Sequence, residues 1–518
     1  REYGYDPTDP EDPDPNGDDD DDGITNLEEL NGETDPRSGD SDGDGMPDQW
    51  EREHGFDPNT VEDKDEDADG DGITNRDEWE AGTNPNNPDS DGDGYPDGWE
   101  MANGFDPQDD NDGGPVYVSA TGNDGNKGTQ GSPYLTLAKA VWKASYGLTD
   151  DSRTVRVVGE LSEASGNVSP IQDATFGITD TGKNGVIISG TGTDPKLTRS
   201  STRSKRILYV GPNTRLTLQD ITLTGGNSER GSGIYVESGE LILGSGSAII
   251  NNIATGGVNG VGGGILVEYG KLTMLKGALI SNNKATNHSG GGVYLQNSEF
   301  IMEGGVITEN TTVSEGGGLC VYSRSKAVLK NGAEISGNTA HRAGGGVAVI
   351  SHGELILEEG SKITGNFSLS DTNNTAYGAG GITLSQGSLL MKGGEISGNT
   401  TDGLCGGVGL YWYSTFTMEG GRIAGNTAAT YGGGVGLTTQ ASFIMKGGFI
   451  EGNKGSRGGG VWLRNDTTNP FTMTGGTIYG SDNAEKGNTA TAANGGHALY
   501  DGTKTPAGIV NNTITSYP

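Results

Sequence analysis

The sequence predicts an all-β fold, a parallel β-helix solenoid that follows a small acidic domain of loops and short helices. Three observations support this prediction. Glycine-rich triplets followed by alternating apolar residues recur from residue 231 onwards, mostly at intervals of 26–28 residues. One isoleucine and one asparagine hold fixed places within these repeats, and a 12-residue acidic pattern occurs four times between residues 18 and 100. We therefore expect the acidic domain at residues 1–112, an opening strand and capping helix at 115–150, and the solenoid at 151–518.

The acidic pattern reads D-x-D-x-D-G-x-x-[N/D]-x-x-E, and a pair of such loops repeats after 49 residues. Aspartates at positions 1, 3 and 5 supply side-chain oxygens, and glycine at position 6 allows a sharp turn. Position 7 offers a backbone carbonyl, and glutamate at position 12 can bind with both oxygens. With the Asn or Asp at position 9 included, the predicted metal ligands are Asp18, Asp20, Asp22, Ile24, Asn26, Glu29, Asp40, Asp42, Asp44, Met46, Asp48, Glu51, Asp67, Asp69, Asp71, Ile73, Asn75, Glu78, Asp89, Asp91, Asp93, Tyr95, Asp97 and Glu100.

These oxygen-rich sets predict calcium as the cofactor, with about four or more Ca²⁺ ions bound. Magnesium matches less well because it prefers fewer ligands in a strict octahedral arrangement. No cysteine or histidine occupies a ligand position, which argues against zinc and copper. An acidic disordered spacer is the alternative interpretation, since Asp, Pro and Gly dominate the region. Four complete loops at a regular spacing favour the calcium interpretation.

Each loop is predicted to lead into a short helix, as at residues 47–54 and 76–81, whereas the segments before the loops show no helical period. The region therefore resembles bacterial calcium-binding repeats related to thrombospondin type 3 repeats and, more distantly, dockerins. We expect Trp50, Trp79 and Trp99, which fall on these helices, to pack a small core.

Almost all of the net charge lies in the acidic region. Residues 1–114 contain 41 acidic and 5 basic residues, a net charge of −36, against −37 for the whole chain. The nearly neutral remainder predicts no nucleic-acid partner, and the lack of an 18-residue apolar run predicts no transmembrane helix. Weak calcium sites fill at the millimolar calcium found outside cells, so an extracellular or cell-surface location is expected. Cys320 and Cys405 occupy different places in the repeat and are expected to be buried free thiols.

A predicted strand and amphipathic helix precede the repeats, at residues 115–144. Leu135, Ala138, Val141 and Trp142 would form the apolar face of the helix. The segment resembles the opening of secreted right-handed parallel β-helix proteins, including some polysaccharide lyases. This resemblance implies that the helix covers the first coil and that the solenoid is right-handed.

Each glycine-triplet repeat carries three short strand signals and no helical period, which predicts one β-helix coil per repeat. An isoleucine column is expected inside the solenoid, and an asparagine ladder at a turn three residues later. The columns are Ile280, Ile307, Ile335, Ile363, Ile396, Ile423 and Ile450, and Asn283, Asn310, Asn338, Asn366, Asn399, Asn426 and Asn453. The repeats resemble those of the chlamydial polymorphic outer-membrane family, which implies a bacterial protein.

The outward strand positions predict no enzyme. The expected outward column of the first strand runs from Tyr235 to Trp462, and that of the second strand from Ile242 to Thr472. Neither column holds a carboxylate or a lysine, whereas glycan-cleaving β-helices need clustered charges. The histidines are scattered and are interpreted as surface residues. Tyr411, Trp412 and Tyr413 are a candidate platform for stacking a sugar, so a surface glycan is a second candidate partner.

Two further features predict self-association. The second column is an apolar or β-branched stripe, which is typical of an interface. The C-terminal end shows no capping helix, and an uncapped coil exposes strand edges. A basic cluster is a candidate for head-to-tail docking of an acidic segment and consists of Lys196, Arg199, Arg203, Lys205 and Arg206. The sequence thus predicts a secreted or cell-surface structural or adhesive protein that forms a homopolymer. The alternative is a carbohydrate-binding or carbohydrate-cleaving β-helix.

Overall fold

The computed structural model describes residues 14–515, except 94, 104, 111–112, 146, 148–149, 151, 163–174, 177–184, 200–205, 257–259, 370–377, 439, 465–470, 494, 503–507 and 511–512. Arg203 and Lys205 of the basic cluster therefore lie outside the described residues. The chain divides into two compact units, which are Arg1–Pro115 with Gly147–Ser152, and Val116–Tyr146 with Arg153–Pro518. Among the described helices, none combines the length and the apolar character needed to cross a membrane.

The described residues of the first unit form four seven-residue helices, each of which begins at position 9 of an acidic loop. They are α1 Asn26–Gly32, α2 Asp48–His54, α3 Asn75–Ala81 and α4 Asp97–Asn103, and a 3-10 helix spans Asp63–Asp65. Threonine side chains cap the first turns of α1 and α3. Gly55 and Gly82 end α2 and α3 in the left-handed conformation that glycine adopts without strain. The predicted loop–helix order is confirmed.

The buried centre of the first unit is polar rather than aromatic. The glutamates at position 12 and the Asn or Asp residues at position 9 are fully buried in all four loops. Apolar burial comes from Ile24, Met46 and Tyr95 at position 7. Trp50, Trp79 and Trp99 are half-buried. Trp50 and Trp99 nevertheless pack on neighbouring rings, with ring centres 5.7 Å apart for Trp50 and Phe56 and 4.7 Å apart for Trp99 and Tyr95. Seven-residue helices are too short to present a wide apolar stripe, and each directs its buried side to the loop carboxylates.

The second unit opens with a strand at Val116–Ser119 and helix α5 at Leu137–Ala144. The helix is present as predicted, but its buried face differs. It buries Leu137, Ala140, Val141 and Ala144, whereas Trp142 is 47 % exposed. The Nζ of Lys139 lies 4.0 Å from the centre of the Trp142 ring, so this indole packs against a cation at the surface.

Three parallel sheets run along the solenoid, and each regular coil contributes to all three. Within the described part of the solenoid, the broad sheet holds two strands per coil and has 23 strands. The triplet sheet follows the glycine triplets, and the narrow sheet has strands of two residues. The first column of the broad sheet is Val116–Ser119, Thr154–Ser162, Val186–Thr198, Arg215–Gln219, Glu240–Leu243, Lys271–Met274, Glu299–Met302, Lys326–Leu329, Glu354–Leu357, Ser388–Met391, Thr415–Met418, Ser442–Met445 and Phe471–Met473. Its second column is Thr222–Thr224, Ala248–Ile250, Leu279–Ser281, Val306–Thr308, Glu334–Ser336, Lys362–Thr364, Glu395–Ser397, Arg422–Ala424, Phe449–Glu451 and Thr477–Ile478.

The other two sheets complete the coils. The triplet sheet comprises Thr175–Phe176, Leu208–Val210, Ile234–Glu237, Ile265–Glu268, Val293–Gln296, Leu319–Tyr322, Val347–Ile350, Ile382–Ser385, Val408–Tyr411, Val435–Leu437, Val461–Leu463, Leu499–Asp501 and Gly508–Val510. The narrow sheet comprises Asn227–Ser228, Ile253–Ala254, Lys284–Ala285, Thr311–Thr312, Thr339–Ala340, Phe367–Ser368, Thr400–Thr401, Thr427–Ala428, Lys454–Gly455 and Thr489–Ala490. The parallel β-solenoid is confirmed, with about ten regular turns.

The isoleucine and asparagine columns stack as predicted. Ile335 pairs with Ile307 on one side and with Ile363 on the other, and all three are fully buried. The Nδ2 of Asn338 donates to Oδ1 of Asn366 at 3.0 Å, and the same bond recurs from coil to coil. The ladder also includes Asn252 and Asn488, one at each end of the predicted column. From Asn252 to Asn453, each buried amide of the ladder therefore hydrogen-bonds the next coil.

The outward column of the triplet sheet is covered rather than exposed. Tyr235, Leu266, Tyr294, Cys320 and Ala348 are all at most 8 % exposed and form a second hydrophobic cluster. The segments that precede the glycine triplets fold back over this column, and a Cβ on Gly290 would lie 2.8 Å from the Cβ of Tyr294. Both cysteines are buried free thiols, as predicted, and burial raises their pKa, to about 12 for Cys405.

The C-terminal segment closes part of the last coil. Leu499–Asp501 pairs with Gly508–Val510 in antiparallel fashion. Ile478 also forms an antiparallel bridge, with Ile514. Ile514 also packs against the main core. The expectation of an open end was therefore wrong for the triplet sheet and for the second column of the broad sheet. A hairpin, rather than a capping helix, covers these edges.

Candidate metal centre

The aspartate at position 1 shapes each acidic loop by accepting backbone hydrogen bonds. In the second loop, Oδ1 of Asp40 accepts from the N–H of Gly43 at 2.7 Å, and Oδ2 accepts from Gly45 at 3.0 Å. Asp67 makes the same two bonds in the third loop. The glycine at position 6 has a φ of 102° at Gly45, a conformation that a larger side chain would strain. The backbone is thus folded around a carboxylate.

The aspartates at positions 3 and 5 use one oxygen for the backbone and leave the other inside the loop. Oδ1 of Asp42 accepts from the N–H of Asp44 at 3.1 Å, and Oδ1 of Asp44 accepts from Met46 at 2.8 Å. The Oδ2 atoms of both aspartates are buried and have no hydrogen-bond partner among the described residues. Asp20 and Asp22 repeat this arrangement in the first loop. Since buried polar atoms are normally paired, these oxygens fit ligands of a cation.

The glutamate at position 12 completes each set from the first turn of the following helix. Glu29 and Glu51 are fully buried, and neither oxygen of either carboxylate has a partner within the described chain. Leaving a charged carboxylate buried without a partner costs several kcal/mol, on the order of the effective desolvation penalty of one ion. A divalent cation bound by both oxygens would remove that cost. Glutamate at this position is the residue that binds calcium in a bidentate manner.

The pKa values of these carboxylates reflect the same cost of burying a charge. Burial, reinforced by neighbouring carboxylates, raises the pKa of Glu29 to about 8, of Glu51 to about 9 and of Glu78 to about 8. The same causes, in the same order, raise the pKa of Asp20 and Asp42 to about 6. Without a cation, these three glutamates thus favour their protonated form at neutral pH.

Some carboxylate clusters combine residues from neighbouring loops. Asp22 and Glu29 of the first loop approach Asp48 of the second, and one oxygen of each lies within 4.8 Å of the others. Asp44 and Glu51 form an equivalent group with Asp63 of the 3-10 helix. A cation could thus be shared between a loop and the segment that follows it.

The position 9 residues stabilise their own loops through position 2. Asp48 accepts hydrogen bonds from the backbone N–H and the hydroxyl of Ser41, at 2.8 and 2.7 Å. Asp97 accepts the same pair from Ser90. Asn26 and Asn75 accept only the backbone N–H of position 2, and their Nδ2 atoms donate to the carbonyls of Asp14 and Asp63. The sequence pattern assigned Asp48 to the second loop alone, and its proximity to the first loop was not foreseen.

The third and fourth loops follow the same plan. Asp69 and Asp71 accept backbone bonds from within their loop, as do Asp91 and Asp93. Asp67, Asp69 and Asp71 form a third group of carboxylates within 4.8 Å. Oδ2 of Asp71 accepts from the N–H of Gly98 at 2.6 Å, which ties the third loop to α4.

The clusters fit calcium. Calcium takes six to eight oxygens at about 2.3–2.6 Å, so ligands on opposite sides of one ion lie about 5 Å apart. The grouped oxygens lie within 4.8 Å of one another and are carboxylates. A bound ion would supply the positive charge that these buried groups lack, with the aspartates of each loop and the position 12 glutamate as the residues to hold it.

The candidate sugar platform is only partly exposed. Tyr411 is 1 % exposed and packs in a small buried cluster, whereas Trp412 and Tyr413 are 41 % and 63 % exposed. Tyr411 therefore cannot take part in a three-ring stacking surface. The described histidines of the solenoid are not grouped, except that His288 borders a pocket on the triplet sheet.

Models of protein families match a region in each part of the chain. Residues 184–368 match the model of the right-handed β-helix region, and residues 40–60, 67–88 and 89–110 each match the bacterial TSP3 repeat. The molecule is therefore a right-handed parallel β-helix protein that carries calcium-binding-type repeats. These are bacterial TSP3 repeats, a type that typically binds calcium, and they point to a bacterial protein. Searches of curated proteins and of solved structures found no match.

Proposed function

We propose that the protein is a calcium-stabilised structural or adhesive protein of the bacterial exterior, and that two copies associate through the outward face of the broad sheet. The observation that carries this proposal is a continuous outward row of Ile, Val, Leu and Thr side chains. The row pairs residue by residue from Ile242 to Thr472, and most of its members are half-buried. Nine coils at about 4.8 Å give this row a length of about 40 Å.

Alternating charges flank this apolar row on both sides. The position two residues before each member of the row is charged on four successive coils, by Lys271, Glu299, Lys326 and Glu354. The position two residues after each member is charged on six successive coils, by Glu303, Lys330, Glu358, Lys392, Glu419 and Lys446. Neighbouring members form ion pairs, such as Lys330 with Glu303 at 2.8 Å and Lys446 with Glu419 at 3.2 Å. Such pairs stabilise adjacent parallel strands modestly, by about 0.2–1 kcal/mol each.

The alternation makes the face self-complementary in one orientation. The two charged rows are in phase, so that Lys326 and Lys330 share a coil and Glu354 and Glu358 share the next one. Two copies laid parallel and in register would place like charges opposite each other. An antiparallel copy, related by a two-fold axis between these two coils, places each lysine opposite a glutamate. The face therefore favours antiparallel pairing.

The acidic first unit supports the extracellular part of the proposal. Four loops with buried carboxylates need cations to offset their repulsion, and calcium is abundant outside the cell. The charge rows support a structural rather than a catalytic role. Their carboxylates are held in pairs with lysines across coils instead of being clustered, and a paired, exposed carboxylate is poorly suited to proton transfer.

The test is the association state of the full chain in millimolar calcium, measured by light scattering and electron microscopy. We expect particles larger than a monomer, in which solenoids lie side by side. Ile356→Lys places a charge in the apolar row and should abolish them. Lys330→Glu removes the complementarity and should weaken association at low salt.

The matched control is Thr339→Lys, which adds the same charge on the narrow sheet. It should associate like the unmodified chain. A chain that stays monomeric at high concentration in calcium would refute the proposed association. Association that survives both Ile356→Lys and Lys330→Glu would refute the broad sheet as the contact.

A further inference from the structure

A pocket of about 310 Å³ lies on the outward side of the triplet sheet, away from the broad sheet. Its floor comes from the sheet, and its rim comes from the segments that precede the glycine triplets. The residues that line the pocket include His288, Tyr294, Gln296, Glu315, Tyr322 and Ile350. The volume is at the lower end of the range for small-molecule sites, about 300–1,000 Å³.

One wall of the pocket is aromatic and apolar. The ring centres of Tyr294 and Tyr322, on adjacent coils, lie 5.8 Å apart with the planes tilted by 33°. Ile350 extends this wall on the next coil, where it pairs with Tyr322 in register. Tyr294 is only 5 % exposed and backs this wall, so the half-buried ring of Tyr322 is the one that can face a small cyclic ligand. The wall belongs to rigid, paired strands, so the surface is formed before any ligand binds.

Several polar groups at the pocket have unused hydrogen-bonding capacity. Nδ1 of His288 is buried and has no partner among the described residues. Within the same part of the chain, the amide of Gln296 and the hydroxyls of Tyr294 and Tyr322 make no hydrogen bond either. Buried or half-buried polar groups are normally paired with protein or water. Their convergence around an apolar wall therefore fits a ligand with several hydroxyl groups.

The charges at the pocket select against an anion. The guanidinium of Arg230 is already paired with Glu268, which is 7 % exposed and also accepts from the hydroxyl of Tyr235 at 2.5 Å. Glu315 receives a weak hydrogen bond from the hydroxyl of Ser289, at 3.4 Å, and no described cation lies within ion-pair distance of it. The pocket therefore carries a net negative charge, which would repel a uronate, a phosphate or a sulfate.

We propose that this pocket binds one residue of a neutral saccharide. The sugar ring would stack on Tyr322, with Tyr294 behind it, and its hydroxyls would bond to Gln296, His288 and Glu315. The inference involves neither the calcium loops nor the broad-sheet contact, so each can fail alone. It gives the triplet sheet a ligand-binding role and leaves the broad sheet for association.

The test uses the full chain in calcium on an array of defined oligosaccharides, neutral ones (glucans, mannans, galactans and N-acetylhexosamine oligomers) and uronate-containing ones. We expect at least one neutral saccharide to bind and the uronates not to bind. Its dissociation constant is then measured by calorimetry for the unmodified chain and for Gln296→Ala and Tyr322→Ala. Each substitution should weaken binding by at least about tenfold, the equivalent of about 1.4 kcal/mol.

The control is Tyr413→Ala, which removes an exposed aromatic ring far along the chain. It should leave the affinity unchanged, and circular dichroism checks that every variant keeps the β-helix. Gln296 is half-exposed, so Gln296→Ala tests the pocket even if Tyr322→Ala unfolds. The proposal is overturned if no neutral saccharide binds at millimolar concentration or if uronates bind equally well. It is also overturned if Gln296→Ala binds normally or if Tyr413→Ala is the variant that loses binding.

Discussion

The carboxylates of Asp22 and Asp48 share one cluster although they belong to different acidic loops. Together with Glu29 they bring three oxygens within 4.8 Å of one another, and Glu29 and Asp48 are fully buried. Asp48 is also the first residue of α2 and accepts a hydrogen bond from the N–H of Ser41 in its own loop. One side chain therefore links the metal site of the first loop to the fold of the second, and calcium binding at the two loops should be coupled.

Asp48→Asn should weaken calcium binding at both the first and the second loop. The asparagine keeps an acceptor for the N–H of Ser41 but removes a negative charge from the cluster with Asp22 and Glu29. We expect calorimetry to show a loss of affinity at two sites, by about tenfold or more, since charged ligands dominate calcium affinity. Asp65→Asn, an exposed residue outside these clusters, removes the same charge and should change little. An effect confined to one site would contradict the coupling.

Removal of calcium at neutral pH should unfold the first unit and leave the solenoid intact. The main hydrophobic cluster runs from Val116 to Leu499 and includes no described residue of the acidic loops. Hydrogen exchange with and without chelator should therefore show fast exchange in α1 to α4 and unchanged protection in the three sheets. Loss of protection around Asn338 on chelation would contradict this independence.

The sequence predicted the internal columns of the solenoid well because each coil repeats one isoleucine and one asparagine in the same place. Contacts between coils, such as that of Asn338 with Asn366, follow directly from such a repeat. The burial of the outward residues Tyr294 and Cys320 could not be predicted from the repeat. It depends on the path of the segment before each glycine triplet, where the sequence varies in length and composition.

The candidate metal site was likewise predictable only within each loop. The spacing of Asp40, Asp42 and Asp44 gives the ligand order, because it reflects the local turn. The approach of Asp63 to Glu51 depends on the 3-10 helix between two loops, and no local pattern marks it. The partial exposure of the tryptophans was also not predictable from the local pattern, because the loop carboxylates occupy the buried side of the short helices.

Asn338→Leu should destabilise the solenoid by about 2–4 kcal/mol, because it leaves buried polar groups without partners. Oδ1 of Asn338 accepts from the N–H and the Nδ2 of Asn310, and its own Nδ2 donates to the carbonyl of Ile307. Thermal or denaturant unfolding in calcium measures the change. Asn331→Leu alters an exposed asparagine one turn earlier and should have little effect. Equal losses in both variants would mean that the ladder is not the cause.

Gly317→Ala should destabilise the solenoid because a methyl group has no room there. A Cβ at this position would lie 2.4 Å from the carbonyl oxygen of Gly345 and 2.7 Å from backbone atoms of Thr339. Both neighbours are backbone in the next coil and cannot move without breaking sheet hydrogen bonds, so we expect a loss of about 1–3 kcal/mol. Gly131→Ala meets no atom within 4 Å and is the matched control. Denaturant unfolding that gives equal midpoints for the two variants would contradict the steric explanation.

The metal-free first unit should become less stable as the pH rises from about 5 to about 9. Burial raises the pKa of Glu29 and Glu78 to about 8 and that of Glu51 to about 9, from an ordinary value of 4.5. Between these limits the folded unit holds more protons than the unfolded chain, so raising the pH favours unfolding. The stability is fully present below about pH 4.5 and is lost as the pH passes through the folded-state values.

Calcium reverses this dependence, since it binds the deprotonated carboxylates and its affinity therefore rises with pH. Hydrogen exchange of α1 to α3 in metal-free protein, obtained by passage over a chelating resin, measures the trend directly. Glu51→Gln should reduce the pH dependence, because a neutral amide at this position does not titrate. The same variant should bind calcium more weakly at pH 7.5. Metal-free helices that gain protection as the pH rises would show that these glutamates are not buried beside the loop aspartates in solution.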